Sequence, residues 1–200
     1  MALDLPAPDF DSLAYLEREV LACTRCALAD GRTQVVFGTG DPDADLMFVG
    51  EGPGAEEDRQ GVPFVGRAGQ LLTKLIGDIG MTRDDVYIAN VVKCRPPGNR
   101  DPQPVEIESC RPWLAAQLGF VRPRVVVTLG NFATKLLLDT KEGITRLRGR
   151  EFPFGDATLI PTLHPSAVLR SGGTALAQAR SDFVVAKRAL ARMGPGGTRA

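Results

Sequence analysis

Apolar residues in this chain fall into short blocks of two alternating kinds. Leu46-Met-Phe-Val49, Val86-Tyr-Ile-Ala-Asn-Val-Val92, Arg124-Val-Val-Val-Thr-Leu129 and Thr158-Leu-Ile-Pro-Thr-Leu163 are nearly continuous runs bounded by turn residues. Such runs predict buried strands. Between and around them, apolar residues recur at three- and four-residue spacing. Leu13, Leu16, Val20 and Leu21 predict a helix from Asp11 to Cys23, with Asp9 or Asp11 as its N-cap. Leu71, Leu72, Leu75, Ile76 and Ile79 predict another over Gly66 to Ile79, closed by Gly80. Further helices are expected over Pro104 to Leu118, disturbed at Pro112, over Asn131 to Leu138, and over Thr174 to Met193. Residues 194–200, with Gly194-Pro-Gly-Gly197, are expected to be a frayed tail. Strands alternating with helices imply an α/β fold with a mainly parallel sheet covered on both faces. No internal repeat or long linker divides the chain, so 1–200 is expected to be one domain.

In an open α/β sheet, chemistry gathers in loops at the carboxyl ends of strands. Three unusual segments follow strands here: Gly50–Phe64, Asn90–Asp101 and His164–Arg170. Their positions predict one shared site.

Composition narrows the picture. The chain is 44% hydrophobic and 24% charged, enough apolar material for a core and against global disorder. No apolar run approaches the roughly 18–20 residues of a membrane span. The N-terminal segment carries acids and no early Lys or Arg, unlike a targeting peptide, so a cytoplasmic protein with no membrane partner is expected. The formal net charge is zero, which by itself argues against a nucleic-acid partner. That zero is a cancellation: residues 1–59 hold thirteen acids and four bases, and residues 60–200 hold eleven acids and twenty bases. The later bases, including Lys93–Arg95–Arg100 and Arg146–Arg148–Arg150, permit a basic face.

Four cysteines, Cys23, Cys26, Cys94 and Cys110, are separated by 2, 67 and 15 residues. In the absence of a secretory signal, disulfides are the weaker reading. A CxxC pair with two further thiols suits a soft tetrahedral metal or an iron–sulfur cluster, and spacing alone does not separate zinc from [4Fe–4S]. Four unrelated buried thiols are the bland alternative. A metal here would tie the N-terminal helix to the 94–110 region, a mainly structural role.

Taken together, the four-cysteine spacing, Gly50-Glu-Gly-Pro-Gly-Ala-Glu-Glu-Asp58, Gly61-Val-Pro-Phe-Val-Gly66, Asn90-Val-Val-Lys-Cys-Arg-Pro-Pro97 and His164-Pro-Ser-Ala-Val-Leu-Arg170 resemble the family 4 uracil-DNA glycosylases over roughly residues 20–190. The resemblance implies a three-layer α/β/α uracil-DNA glycosylase-like fold with a central four-stranded parallel sheet. It also implies a [4Fe–4S] cluster on the four cysteines and removal of uracil from single- or double-stranded DNA by a monomer. Glu51 separates the chain from family 5, which lacks an acid there. The branch that traps DNA covalently has an Arg-rich insertion after the third motif, which is absent after Asn90; His164 is the one histidine. Gly52 departs from the Ala many members carry.

The resemblance assigns roles that the chemistry requires. Cleaving the N-glycosidic bond puts positive charge on the sugar and negative charge on the departing base. Glu51 is the candidate for positioning water and stabilising the cationic sugar, with Asp58 as a second carboxylate for the water or the loop. Gly50 and Gly52 allow close approach of backbone to ligand. Phe64 is expected to stack on the flipped base. Asn90 offers a donor and an acceptor that match uracil O4 and N3–H and reject cytosine. His164 is expected to donate to uracil O2. Glu57 is expected near uracil C5, excluding the thymine methyl. Ser166, Val168, Leu169 and Arg170 are expected to meet DNA, as a phosphate contact, an apolar wedge and a base. Two other classes remain open: a non-catalytic uracil- or damaged-DNA-binding module, and an iron–sulfur redox protein.

Overall fold

The computed structural model of the chain describes residues 10–192. Helices α1 (Leu13–Leu21) and α2 (Leu28–Gly31) precede the short strand β1 (Thr39–Gly40) and β2 (Leu46–Gly50). Then come α3 (Ala55–Gln60), α4 (Arg67–Asp78), β3 (Tyr87–Asn90), α5 (Pro104–Val121) and β4 (Val125–Leu129). The remainder holds α6 (Asn131–Leu138), α7 (Ile144–Leu147), β5 (Phe152–Phe154), β6 (Ala157–Thr162), α8 (Pro165–Ser171) and α9 (Gly173–Arg192).

The sheet runs β1-β3-β2-β4-β6-β5. Its four central strands, β3, β2, β4 and β6, are mutually parallel, as expected. Two antiparallel edge strands, β1 and β5, extend it to six. Both were too short to announce themselves in the sequence, and β5 (Phe-Pro-Phe) carries a proline suited to an edge. Every residue of β2, β3 and β4 is buried, which is why these strands read as continuous apolar runs.

Alternate residues of each strand feed two separate cores. Met47, Val49, Ala89, Val126 and Leu159 pack with residues of α1, α5 and α6 on one face. Leu46, Phe48, Ile88, Val127 and Ile160 pack with residues of α4, α8 and α9 on the other, where Phe48 stacks on Phe183 at 5.3 Å. The result is three layers, α/β/α. The chain passes from β2 to β3 on one side of β2, then returns to β4 on the other. This switch in winding direction opens a crevice at the carboxyl ends of the central strands.

Local chemistry explains the element ends. Helix α1 is capped by Ser12, whose hydroxyl accepts from Tyr15 N–H at 3.1 Å, in place of the expected Asp11; Asp9 lies outside the described residues. Asp11 is one position too early, because the first helical residue is Leu13. Helix α5 runs unbroken through Pro112, which is exposed, so water can serve the carbonyl left without its usual N–H partner. The expected end of the last helix at Met193 and the expected tail also lie outside the described residues. None of the described helices is long and apolar enough to cross a membrane.

Candidate active site

The carboxyl ends of β2, β3, β4 and β6 surround a cavity of about 500 Å³. Glu51, Gly52, Glu57, Phe64, Asn90, His164, Ser166 and Arg170 all line it. Residues from three distant segments therefore meet where strand topology places the crevice.

Gly50 and Asn90 are the last residues of adjacent parallel strands and stand opposite one another in register. The pairing continues past the strand ends, since Val91 N–H donates to Gly50 O (2.9 Å) and Val92 N–H to Glu51 O (3.0 Å). A side chain on Gly50 would meet Asn90 Oδ1 at 2.4 Å and the Phe64 ring at 2.5 Å. Gly50 is thus a bare floor over which those two groups converge. Asn90 is 2% exposed, and its Oδ1 is buried without a hydrogen-bond partner. A buried acceptor left unpaired is costly unless a ligand supplies the donor.

Phe64 is held in a conformation that few side chains adopt, with φ of +53°. Several contacts enforce it. Arg83 donates to Phe64 O (3.1 Å) and Pro63 O (2.8 Å). Gly69 of α4 lets the Phe64 carbonyl lie against the helix, where a Cβ would come within 1.8 Å of that oxygen. The next two backbone N–H groups, of Val65 and Gly66, donate to Glu57 Oε1 at 3.0 and 2.9 Å. The other Glu57 oxygen accepts from Gly54 N–H at 3.1 Å. The Glu57 carboxylate therefore binds the two ends of its loop together while its side chain lines the cavity. Asp58 lies outside the cavity, buried, and accepts from Thr33 N–H (2.9 Å) and Gln34 N–H (3.4 Å).

Glu51 is half-buried, and burial reinforced by the negative charge of Asp101 lifts its pKa to about 7. His164 caps α8, and its Nδ1 accepts the Ser166 N–H at 3.2 Å. A backbone N–H can only donate, so Nδ1 carries no proton and Nε2 does. The Ser166 hydroxyl lies 2.7 Å from the same Nδ1. Burial, with help from Arg170, lowers the His164 pKa to about 4, so the ring is neutral at pH 7. Its ring stands 5.8 Å from that of Phe64 at a 37° tilt. Gly130, at φ +89°, leaves room for it: a Cβ there would lie 2.9 Å from His164 Cβ.

Two sequence expectations are corrected, those for Val168 and Lys93. Val168 is 2% exposed in the core against α4 and α9, so it faces away from solvent and cannot serve as a wedge. The segment His164–Arg170 is a helix, and its turn carries Val168 inward while Leu169 and Arg170 remain exposed. Lys93 is fully buried, not a surface base. Of the other expected bases, Arg100 lines the cavity while paired with Glu106, and Arg148 is paired with Asp182. Arg83, Asn99 and Pro96 escaped the sequence analysis as site residues. Asn99 and Pro96 lie within or beside a motif already singled out, but Arg83 acts twenty residues away from its partners and left no local signal.

The four cysteines line a second, small pocket with Arg32, Lys93 and Trp113. Three sulfurs receive N–H donors: Cys23 from Trp113 Nε1 (3.3 Å), Cys94 from Arg32 (3.4 Å) and Cys110 from Lys93 N–H (3.3 Å). Burial raises the Cys94 and Cys110 thiol pKa values, the latter to about 11, and the donors from Arg32 and Lys93 offset part of that rise. Among the described residues, no three His, Cys, Asp or Glu side chains form a group that could hold a single metal ion. Four thiols in one pocket are a donor set suited to a soft metal or an iron–sulfur cluster.

Residues 37–187 match the family described as the Uracil DNA glycosylase superfamily. The chain is similar to the Type-4 uracil-DNA glycosylase of Thermotoga maritima, 48% identical over 80% of this chain and 84% of that protein. It is 45% identical to the Type-4 uracil-DNA glycosylase of Sulfurisphaera tokodaii over 80% of this chain and 76% of that protein. For the Archaeoglobus fulgidus protein of the same name, the identity is 43% over 80% and 84%.

Proposed function

The chain belongs to the uracil DNA glycosylase superfamily, and we propose that it excises uracil from DNA through Glu51, Phe64, Asn90 and His164. The observation that carries this reading is the orphaned Asn90 Oδ1, buried at the edge of a cavity whose wall is a strained Phe64. The enzyme is a monofunctional DNA glycosylase, a hydrolase of N-glycosyl bonds that acts in DNA repair. The whole chain works as one domain and as a monomer, in the cytoplasm where DNA is accessible and thiols stay reduced.

The flipped base enters the cavity and stacks on Phe64. Asn90 Oδ1 accepts from uracil N3–H, and its amide N–H donates to O4. Cytosine presents an acceptor at N3 and a donor at N4, so it faces like against like. His164 donates its Nε2–H to O2, where negative charge grows as the glycosidic bond breaks. A neutral ring with its proton fixed on Nε2 is already set for this. Glu51, as carboxylate, directs water to the sugar carbon and stabilises its positive charge. The water oxygen bonds to that carbon and its proton passes to the Glu51 carboxylate; the bond to uracil N1 breaks, and the base leaves as an anion with the bonding electrons and takes up a proton from solvent. The products are free uracil and an abasic site. Gly50 and Gly52 give backbone access, and Glu57 holds the loop that shapes the pocket where uracil C5 would face.

Arg170 lines the cavity and Leu169, its neighbour in the chain, is exposed; they are the phosphate contact and the wedge of this reading. Ser166 serves His164 rather than a phosphate. Cys23, Cys26, Cys94 and Cys110 hold a [4Fe–4S] cluster. Bound there, it supplies a cross-link between the region after α1 and the start of α5, and keeps the Arg95–Gln103 segment in place between two ligands. Uracil is taken from both single- and double-stranded DNA.

The test is incubation of the purified protein with oligonucleotides carrying one uracil, single-stranded and paired. The expected result is free uracil with an alkali-labile, uncleaved strand. Tight binding without release would favour the non-catalytic module instead.

A further inference from the structure

Lys93 is a cation in an unusual place. It is 1% exposed, and its Nζ donates to Asn90 O at 2.8 Å and to Gln117 Oε1. Both acceptors are neutral. An ammonium taken fully out of water needs a counter-charge nearby. The residue also stands in the wall of the four-cysteine pocket: its backbone N–H donates to Cys110 Sγ, and the next residue in the chain is Cys94. The cage on the far side is rigid: Gln117 Nε2 donates to Phe37 O (2.9 Å) and Tyr87 Oη (3.2 Å). The Asn90 carbonyl belongs to the peptide whose N–H, on Val91, is bound to Gly50 O. That peptide is therefore clamped from both ends, by Gly50 and by Lys93. It is also the backbone from which the Asn90 side chain leaves β3.

We propose that Lys93 is a positioning residue linking the four-cysteine pocket to the cavity. The thiolates of a bound cluster would supply the counter-charge that holds the buried ammonium, and the ammonium fixes the peptide that aims Asn90 at the base. Uracil affinity then depends on what the cysteines hold. The inference rests on the proposed binding of uracil at Asn90 and of a cluster at the cysteines. Lys93 itself touches neither substrate nor reacting atoms.

The experiment uses anaerobically purified full-length protein. Free uracil is titrated by calorimetry into wild type and Lys93→Met, each with iron present and after chelation. Iron per chain, melting and turnover on uracil-containing DNA are measured alongside. Lys93→Met is expected to keep its iron, to bind uracil roughly tenfold to a hundredfold more weakly, and to lose kcat with KM for DNA unchanged. Removing iron from the wild type is expected to weaken uracil binding similarly, and removing it from Lys93→Met to add little, because the link is already cut. A purely structural lysine would instead lower iron content and melting temperature and leave uracil affinity per folded molecule intact. Wild-type-like uracil binding by Lys93→Met overturns the proposal, as does an equal loss on iron removal with and without the lysine. If the variant does not fold, the wild-type comparison decides alone, and unchanged affinity after iron removal overturns the link. A wild type that carries iron yet binds no uracil, or binds uracil yet carries no metal, defeats the underlying reading and the link with it, and does so before any variant is made.

Discussion

Replacing Gly50 with Ala tests the architecture of the cavity with one methyl group. The added Cβ would lie 2.4 Å from Asn90 Oδ1 and 2.5 Å from the Phe64 ring. Carbon atoms rest comfortably at about 3.5 Å, so the ring must retreat by about 1 Å, and Asn90 by a similar distance. Asn90 is confined by burial and Phe64 by Arg83 and Gly69, so the open side is the cavity itself. The stacking face and the amide that reads the base are both displaced into the space the base needs. A misplacement of about 1 Å at a reacting centre costs on the order of 10² in rate. Gly50→Ala is therefore expected to release uracil at least about 10²-fold more slowly under single-turnover conditions, with a cooperative melt retained. Gly77→Ala is the matched control, because its Cβ meets nothing within 4 Å and the residue lies inside α4. It should keep full activity and gain up to about 1 kcal/mol from helix propensity. Wild-type release rates in Gly50→Ala would refute the claim that Asn90 and Phe64 converge on the base over this glycine.

In the proposed mechanism Glu51 acts as a carboxylate, and burial with Asp101 lifts its pKa to about 7, so uracil release should rise with pH through about 7 and then level; Glu51→Gln should be slow and flat across that range. The same raised pKa means that the folded state holds this proton more tightly than the unfolded chain, a stabilisation present at acid pH and lost as pH rises through 7. Glu51→Gln should therefore melt above wild type at pH 8, with the difference shrinking toward pH 4.5, as thermal melts at both pH values would show. Val168→Ala should destabilise by about 2 kcal/mol and slow single- and double-stranded substrates alike, whereas Leu169→Ala should melt like wild type and slow the double-stranded substrate more. Arg83→Met removes both donors to the Pro63–Phe64 carbonyls; it should weaken inhibition by free uracil while lowering the melting temperature only modestly, and unchanged inhibition would show that the loop holds Phe64 without it.

How much the sequence disclosed depended on range. The four central strands were visible because each is buried on both faces and therefore apolar throughout, as in Leu46-Met-Phe-Val. Their ends were visible because Gly50, Asn90 and His164 break those runs, and strand-end loops converge by topology. Helix α3 was missed because Ala-Glu-Glu-Asp-Arg-Gln has no apolar face; the residue it buries is Asp58, bonded to backbone N–H groups 24 and 25 residues earlier. Val168 was misplaced because a seven-residue helix offers too few turns for its inward face to show as a period. Lys93 was misread for a different reason: sequence records a charge but not its depth, and the acceptors that meet this one are the Asn90 carbonyl at the end of β3 and Gln117 on α5. The zero net charge also changes meaning. Several of the later bases are tied up in pairs such as Arg100–Glu106 and Arg148–Asp182, so any DNA-facing field near the cavity depends on a few exposed groups, Arg170 among them.

Asn90, with its buried and unpaired Oδ1, is the proposed reader of the base. The direct measurement is single-turnover base release by wild type and Asn90→Ala, from matched oligonucleotides carrying uracil, cytosine or thymine at one position. Wild type should release uracil alone, and Asn90→Ala should lose roughly 10²–10³-fold of that rate while remaining folded. Uracil release by Asn90→Ala at the wild-type rate, or equal release of cytosine by the wild type, would contradict this role.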